Sequence, residues 1–198
     1  MIKNVIFDYG NVICKTDIRA LIRSFAENEE DFLLMEKAVC ENWGDVDAGG
    51  DYNAYKMNAA SRLPERLRAS CVRFFEEWYT LSFYLQRDGP GIEETVAALK
   101  ERGYKLYLLS NAPDYFYENI GHYRVFDLFD GFVVSGCEKV VKPDRRIYEI
   151  VLERFGLRAE ECVFFDDLEK NVEGAKAVGI EAYRFEGDVR LIKNLLLK

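Results

Sequence analysis

The sequence predicts an α/β fold: a Rossmann-like parallel sheet flanked by helices, with a small all-helical unit inserted after the first strand. Three observations predict it. Short apolar runs end at polar residues, amphipathic stretches between them close on glycines, and one segment, residues 16–85, carries helical spacing with no convincing strand. Regular strand–helix alternation implies parallel strands in one sheet with helices on both faces. At 198 residues the chain can bury a substantial core and suits one α/β domain carrying an insertion.

Val5-Ile6-Phe7 is a short apolar run that ends at Asp8 and opens at Gly10, the pattern of a buried strand entering a loop. From about Asp17 to Phe83 the period becomes helical, as in Leu21, Ile22, Phe25, then Phe32, Leu33, Met35, Val39, then Leu67, Cys71, Phe74, Phe75, Trp78. After Gly89-Pro90-Gly91 the alternation resumes. Ile92 to Arg102 is amphipathic and stops at Gly103, a helix terminator, and Lys105 to Ser110 is a strand ending in Asn111. A shorter helical piece follows Pro113, and Phe132-Val133-Val134 is a strand ending in Ser135. Asp144 to Phe155 is a helix closed by Gly156, Cys162 to Phe165 a strand ending in Asp166-Asp167, Glu169 to Val178 a helix closed by Gly179, and Glu181 to Phe185 the last strand.

The net charge of −8, with no basic window free of acids, argues against nucleic acid as the main partner. A small phosphate ester remains compatible, because local cations act at close range. Five scattered cysteines without a CxxC, and a single histidine (His122), exclude a Cys/His metal cluster. They read as buried reduced thiols, which with the absence of a signal-peptide layout predicts a cytoplasmic protein. No run of about 18 apolar residues predicts a membrane span. No feature fixes an oligomeric state.

In an open parallel sheet, ligands bind beyond the carboxyl ends of the strands. Here the first strand ends in Asp8, the next in Ser110-Asn111 and a later one in Asp166-Asp167, while Lys142 sits in a turn that starts a helix. Three carboxylates, a hydroxyl and an ammonium are thus expected on one rim.

The segments Val-Ile-Phe-Asp-Tyr-Gly-Asn-Val-Ile (5–13), Leu-Leu-Ser-Asn (108–111), Val-Lys-Pro-Asp (141–144), and Phe-Phe-Asp-Asp (164–167) with Asn-Val-Glu-Gly-Ala (171–175) resemble the four ordered motifs of the haloacid dehalogenase superfamily. The insertion resembles that superfamily's helical C1-type cap, which divides the chain into a core of 1–15 and 86–198 and a cap of 16–85. The FDxGNV form is similar to a branch of bacterial sugar-phosphate phosphatases that includes glucose-1-phosphate phosphatase. The resemblance implies a Mg²⁺-dependent phosphatase of small phosphorylated metabolites working through an aspartyl phosphate. Asp8 would be the nucleophile, with Ser110, the backbone N–H of Asn111 and Lys142 on the phosphoryl oxygens. Asp8, the Gly10 carbonyl, Asp166 and Asp167 would hold the ion. These residue types suit that chemistry, since an ionised carboxylate needs no base for its first attack and hard oxygen ligands suit Mg²⁺.

One departure stands out. Most phosphatases of this superfamily carry a second aspartate two residues after the nucleophile, where this chain has Gly10. The side-chain acid that protonates the leaving group is therefore absent from its usual place. The reading favoured by this departure is a substrate with a good leaving group, such as an anomeric sugar phosphate or an acyl phosphate, with a proton from the cap as the second reading. Asp45 and Asp47, in a run that otherwise reads as a solvated turn, are the nearest cap donors. Tyr9 is expected near the leaving group, and the insertion's aromatics are expected mostly in its core. The rivals are a metal-independent carbon–halogen hydrolase, which the adjacent Asp166-Asp167 pair disfavours, and a catalytically weak binding or regulatory protein.

Overall fold

The computed structural model describes residues 1–15, 17–85, 91–122 and 124–198, excepting the side chains of 78–85, 119 and 122. The junction expected at residues 85 and 86, the Gly89-Pro90 turn, and the side chains of Trp78, Tyr79, Phe83 and Tyr84 lie outside the described residues.

Strand β1 (Asn4–Phe7) leads into helices α1 (Ile18–Arg23), α2 (Glu29–Cys40), α3 (Trp43–Asp47), α4 (Tyr52–Ser61) and α5 (Glu65–Leu85). Then follow α6 (Ile92–Glu101), β2 (Lys105–Ser110), α7 (Phe116–Asn119), β3 (Gly131–Val134) and α8 (Ser135–Glu138). The chain ends with α9 (Arg145–Phe155), β4 (Cys162–Asp166), α10 (Glu169–Lys176), β5 (Glu181–Arg184) and α11 (Arg190–Leu196).

The five strands form one parallel sheet in the order β3-β2-β1-β4-β5, the fold class the alternation predicts. Because side chains alternate along a strand, Val5, Phe7, Leu106, Leu108, Val163 and Phe165 enter one core with residues of α6 and α11. Ile6, Tyr107, Leu109 and Phe164 enter another with residues of α9 and α10. Fully burying side chains of this size contributes about 1.5–3 kcal/mol each. Gly156 closes α9 at a φ of 64°, a left-handed conformation that disfavours other residues.

A third cluster, including Leu21, Ile22, Phe32, Met35, Phe74 and Phe75, gives the helical insertion its own interior. Asp31 is almost fully buried there, and a buried carboxylate needs partners. It accepts hydrogen bonds from Arg66 of α5 and from the Asn28 side chain that caps α2, pinning one helix to the other.

Two elements differ from expectation. The stretch read as a solvated turn contains α3, entered through Asn42 in the left-handed region at φ 64°. Helix α11 follows the last strand, its Ile192 and Leu196 buried one turn apart against the sheet.

Strand β1 lies between β2 and β4, the point where the strand order reverses direction. Phe7 is in register with Leu108 and Phe165, and the Asp8 N–H donates to the Phe165 carbonyl at 2.9 Å. The residue after β1 is thereby set level with the carboxyl ends of both neighbours.

Candidate active site

Backbone register alone brings Asp8 beside Asp166, the last residue of β4, and places Ser110 at the end of β2. Lys142, just before α9, completes the cluster. Its buried ammonium donates to Asp8 Oδ1 at 2.7 Å, to Asp166 Oδ2 at 2.7 Å and to the Leu109 carbonyl at 2.9 Å. All three of its donors are satisfied. The loop is braced by a reciprocal pair: the Lys142 N–H donates to Asn111 Oδ1 at 2.7 Å, and Asn111 Nδ2 donates to the Lys142 carbonyl at 3.1 Å.

Asp166 is wholly buried and accepts hydrogen bonds on both oxygens. Besides Lys142, the Leu168 N–H reaches Oδ1 at 2.9 Å, and Asn171 Nδ2 reaches Oδ1 at 2.9 Å and Oδ2 at 3.0 Å. Asn171 is held in turn by the Tyr148 hydroxyl, which donates to its carbonyl at 2.8 Å. Asp167 is less buried, and Asn11 Nδ2 donates to its Oδ2 at 3.0 Å. Ser110 is buried on the wall of the cavity, and no hydrogen bond to its hydroxyl is formed among the described residues.

The electrostatics follow from this packing. Burial pushes Asp8 up, to about 7, with Asp166 adding to the rise and the Lys142 ammonium opposing it. For Lys142, burial disfavours the charge, but Asp8 and Asp166 outweigh it and raise the group above its ordinary value. Carboxylate oxygens of Asp8, Asp166 and Asp167 lie within 4.8 Å of one another. Three carboxylates against one ammonium leave negative charge that a divalent cation can neutralise. The donors are all hard oxygens, which fits Mg²⁺ better than zinc.

These residues line a cavity of about 590 Å³. Gly10 is on its wall, and a Cβ built there meets nothing within 4 Å. Tyr9 also reaches the cavity, yet its ring packs edge-on against Phe116 at 5.0 Å between centroids. From the insertion come Trp43, Gly44 and Asp47 of α3. Trp43 stacks on Phe75 and meets Tyr55 edge-on, and with Tyr52 and Phe74 these described aromatics pack in or against the insertion's core. Asp45 lines a separate depression formed entirely by residues of the insertion.

The structure thus gathers Asp8, Gly10, Ser110, Asn111, Lys142 and Asp167 on one cavity, with Asp166 directly beneath. Sequence reading missed the supporting amides. Asn171 lies five residues after Asp166, so one helical turn brings its amide back over that carboxylate, and Asn11 stands three residues after Asp8.

Residues 2–179 match the sequence profile of the haloacid dehalogenase-like hydrolases. The chain belongs to this family. Within it, the chain is 42% identical over 84 residues to a sesquiterpene phosphatase of Aspergillus oryzae, covering 41% of this chain and 42% of that protein. It is 36% identical over 125 residues to a phosphorylated carbohydrates phosphatase of Thermotoga maritima, covering 62% and 57%. The matches span about half the length of these curated relatives. In fold it is similar to a haloacid dehalogenase family enzyme of Bacteroides thetaiotaomicron, solved with magnesium and inorganic phosphate. There the TM-score is 0.69 at 23% identity, over 94% of this chain and 96% of that one. Among the described residues, no helix is long and apolar enough to cross a membrane; all five cysteines are free, but only Cys14, Cys71 and Cys162 are buried as expected, while Cys40 and Cys137 are exposed.

Proposed function

We propose that this hydrolase is a Mg²⁺-dependent phosphatase of small phosphate monoesters, sugar phosphates foremost, that works through an aspartyl phosphate on Asp8. The observation that carries the reading is the buried Lys142 ammonium held between Asp8 and Asp166, with Asp167 beside them. The similarity to a carbohydrate phosphatase and the FDxGNV motif support the substrate class.

Asp8 attacks phosphorus and later releases phosphate to water, dividing one difficult displacement into two. Lys142 orients the Asp8 carboxylate and offsets the charge of the incoming phosphoryl oxygens. Ser110 and the Asn111 N–H donate to those oxygens as charge spreads over them. Asp8, Asp167 and the Gly10 carbonyl would hold Mg²⁺, which when bound would supply charge neutralisation and Lewis acidity. Asp166 stands behind, its oxygens already filled by hydrogen bonds, and takes part by fixing Lys142 or through a bound water. Residues 16–85 form the cap, and 1–15 with 86–198 form the core over which it closes to exclude water.

The test is phosphate release across a panel of metabolite esters with Mg²⁺. Asp8→Asn is expected to fold normally and to lose turnover, and chelation by EDTA to abolish the wild-type rate reversibly. Turnover of 2-haloacids that survives EDTA would overturn the reading in favour of carbon–halogen chemistry.

A further inference from the structure

We infer that Asp47, on α3 of the helical insertion, is the general acid and base of this site, replacing the carboxylate that Gly10 lacks. The inference rests on the phosphatase reading. Asp47 shares the cavity wall with Asp8 and Gly10, whereas Asp45 faces a different depression and is not a candidate. The space at Gly10 is open, since a Cβ there meets nothing within 4 Å, so no steric demand accounts for the glycine.

The Asp47 carboxyl is mostly shielded from water. The Trp43 side chain donates to it, while its Oδ1 is buried and has no hydrogen-bond partner among the described residues. A carboxylate oxygen in that state favours the protonated form. Burial accordingly pushes Asp47 up to about 6, with Trp43 and the Lys142 ammonium opposing the rise. The other titratable groups on the same wall are Asp8 and Tyr9 after β1, Asp167 before α10 and Lys170 in its first turn. A group poised near neutrality serves both as acid and as base.

Its position is fixed from the core side. The Ser135 hydroxyl at the start of α8 donates to the Asp47 carbonyl and accepts from the Ala112 N–H at 3.0 Å. Lys139 Nζ donates to the Gly49 carbonyl at 2.8 Å. Gly49, at φ 81°, sits so close to the core that a Cβ would collide with both the Gly136 carbonyl and Lys139 Nζ. The end of α3 is therefore seated on the residues that follow β2 and β3.

The chemistry balances. As the Asp8 oxygen bonds to phosphorus, the ester P–O bond breaks with its electron pair on the leaving oxygen, which takes the Asp47 proton. The Asp47 carboxylate then removes a proton from water as that water bonds to phosphorus and the bond to Asp8 breaks. Asp47 ends protonated, and the products are an alcohol and phosphate.

The test compares kcat/KM across phosphate esters of rising leaving-group pKa, from p-nitrophenyl phosphate to simple alkyl phosphates. Wild type should depend weakly on leaving group; a steep decline would show that no acid serves the site and overturn the inference without any variant. Asp47→Asn should lose on the order of 10²-fold or more on alkyl phosphates while p-nitrophenyl phosphate is nearly unaffected. It should also lose the limb of the pH profile near 6. Gly10→Asp in the Asp47→Asn background should restore alkyl turnover. Equal loss on both esters, or none on either, contradicts the assignment. Asp8→Asn abolishes turnover of every ester, and a wild type inert toward all of them would sink the phosphatase reading instead.

Discussion

The sheet rim and helix α3 contribute to one cavity by opposite means. On the rim, Asp8, Ser110 and Asp166 are placed by strand register, so a few paired backbone residues determine where each side chain stands. Asp47 stands on a five-residue helix that holds its place through contacts far away in sequence, as in the Ser135 hydrogen bond spanning 88 residues. Chemistry common to all substrates belongs on the rigid element. Chemistry that depends on the leaving group stands on the inserted element, which long-range contacts seat on that rim.

The largest effect that sharpens this contrast is expected at Lys142. Lys142→Met leaves Asp8 and Asp166 facing each other without their shared cation. Turnover should fall by about 10²–10³-fold for every ester alike. Breaking a buried ion pair should also destabilise the metal-free protein by roughly 3–5 kcal/mol at pH 8, read by urea unfolding. The deficit should shrink at pH 5, where Asp8, pushed up to about 7, takes up a proton. An ester-dependent loss would erase the distinction between rim and insertion.

Asp47→Asn should act in the opposite direction on stability. Asp47 is raised in the folded protein from 3.8 to about 6, so the folded state binds the proton more tightly than the unfolded chain. Wild-type stability therefore falls as pH rises through that window, and removing the carboxylate removes the fall. The variant should gain at most about 3 kcal/mol over wild type above pH 6, and nothing below pH 4. A variant less stable than wild type at pH 8 would mean that Asp47 is held for structure.

Ser135→Ala should give the smallest change, about 1 kcal/mol, since it removes a buried hydroxyl that links α3 to the core. Its signature lies in which substrates suffer: alkyl phosphates should slow more than aryl phosphates, because the lost contact positions Asp47. Uniform slowing would place the effect on the rim.

The same contrast explains what could be read from the sequence. The strands and the sheet class were legible because apolar runs of strand length end in polar residues, and parallel pairing then puts those ends on one side. Lys142 was legible from its Val-Lys-Pro-Asp turn. Helix α3 was not, because five residues carry no helical period and Asn42, though a common cap residue, enters left-handed and makes no capping hydrogen bond. Nor could sequence choose between Asp45 and Asp47, two residues apart, because only the packing of α3 decides which faces the cavity. Asn171 offered a readable spacing to Asp166, and α11 a readable Ile192-to-Leu196 step.

The most direct measurement is an acid-quenched single turnover on the wild-type enzyme with Mg²⁺ and a labelled phosphate ester, followed by proteolysis and mass analysis of the peptide 4–15. Transient phosphoryl label on Asp8, absent in Asp8→Asn, is the predicted result. Full turnover with no labelled Asp8 at any quench time, or label on another residue, would contradict the account.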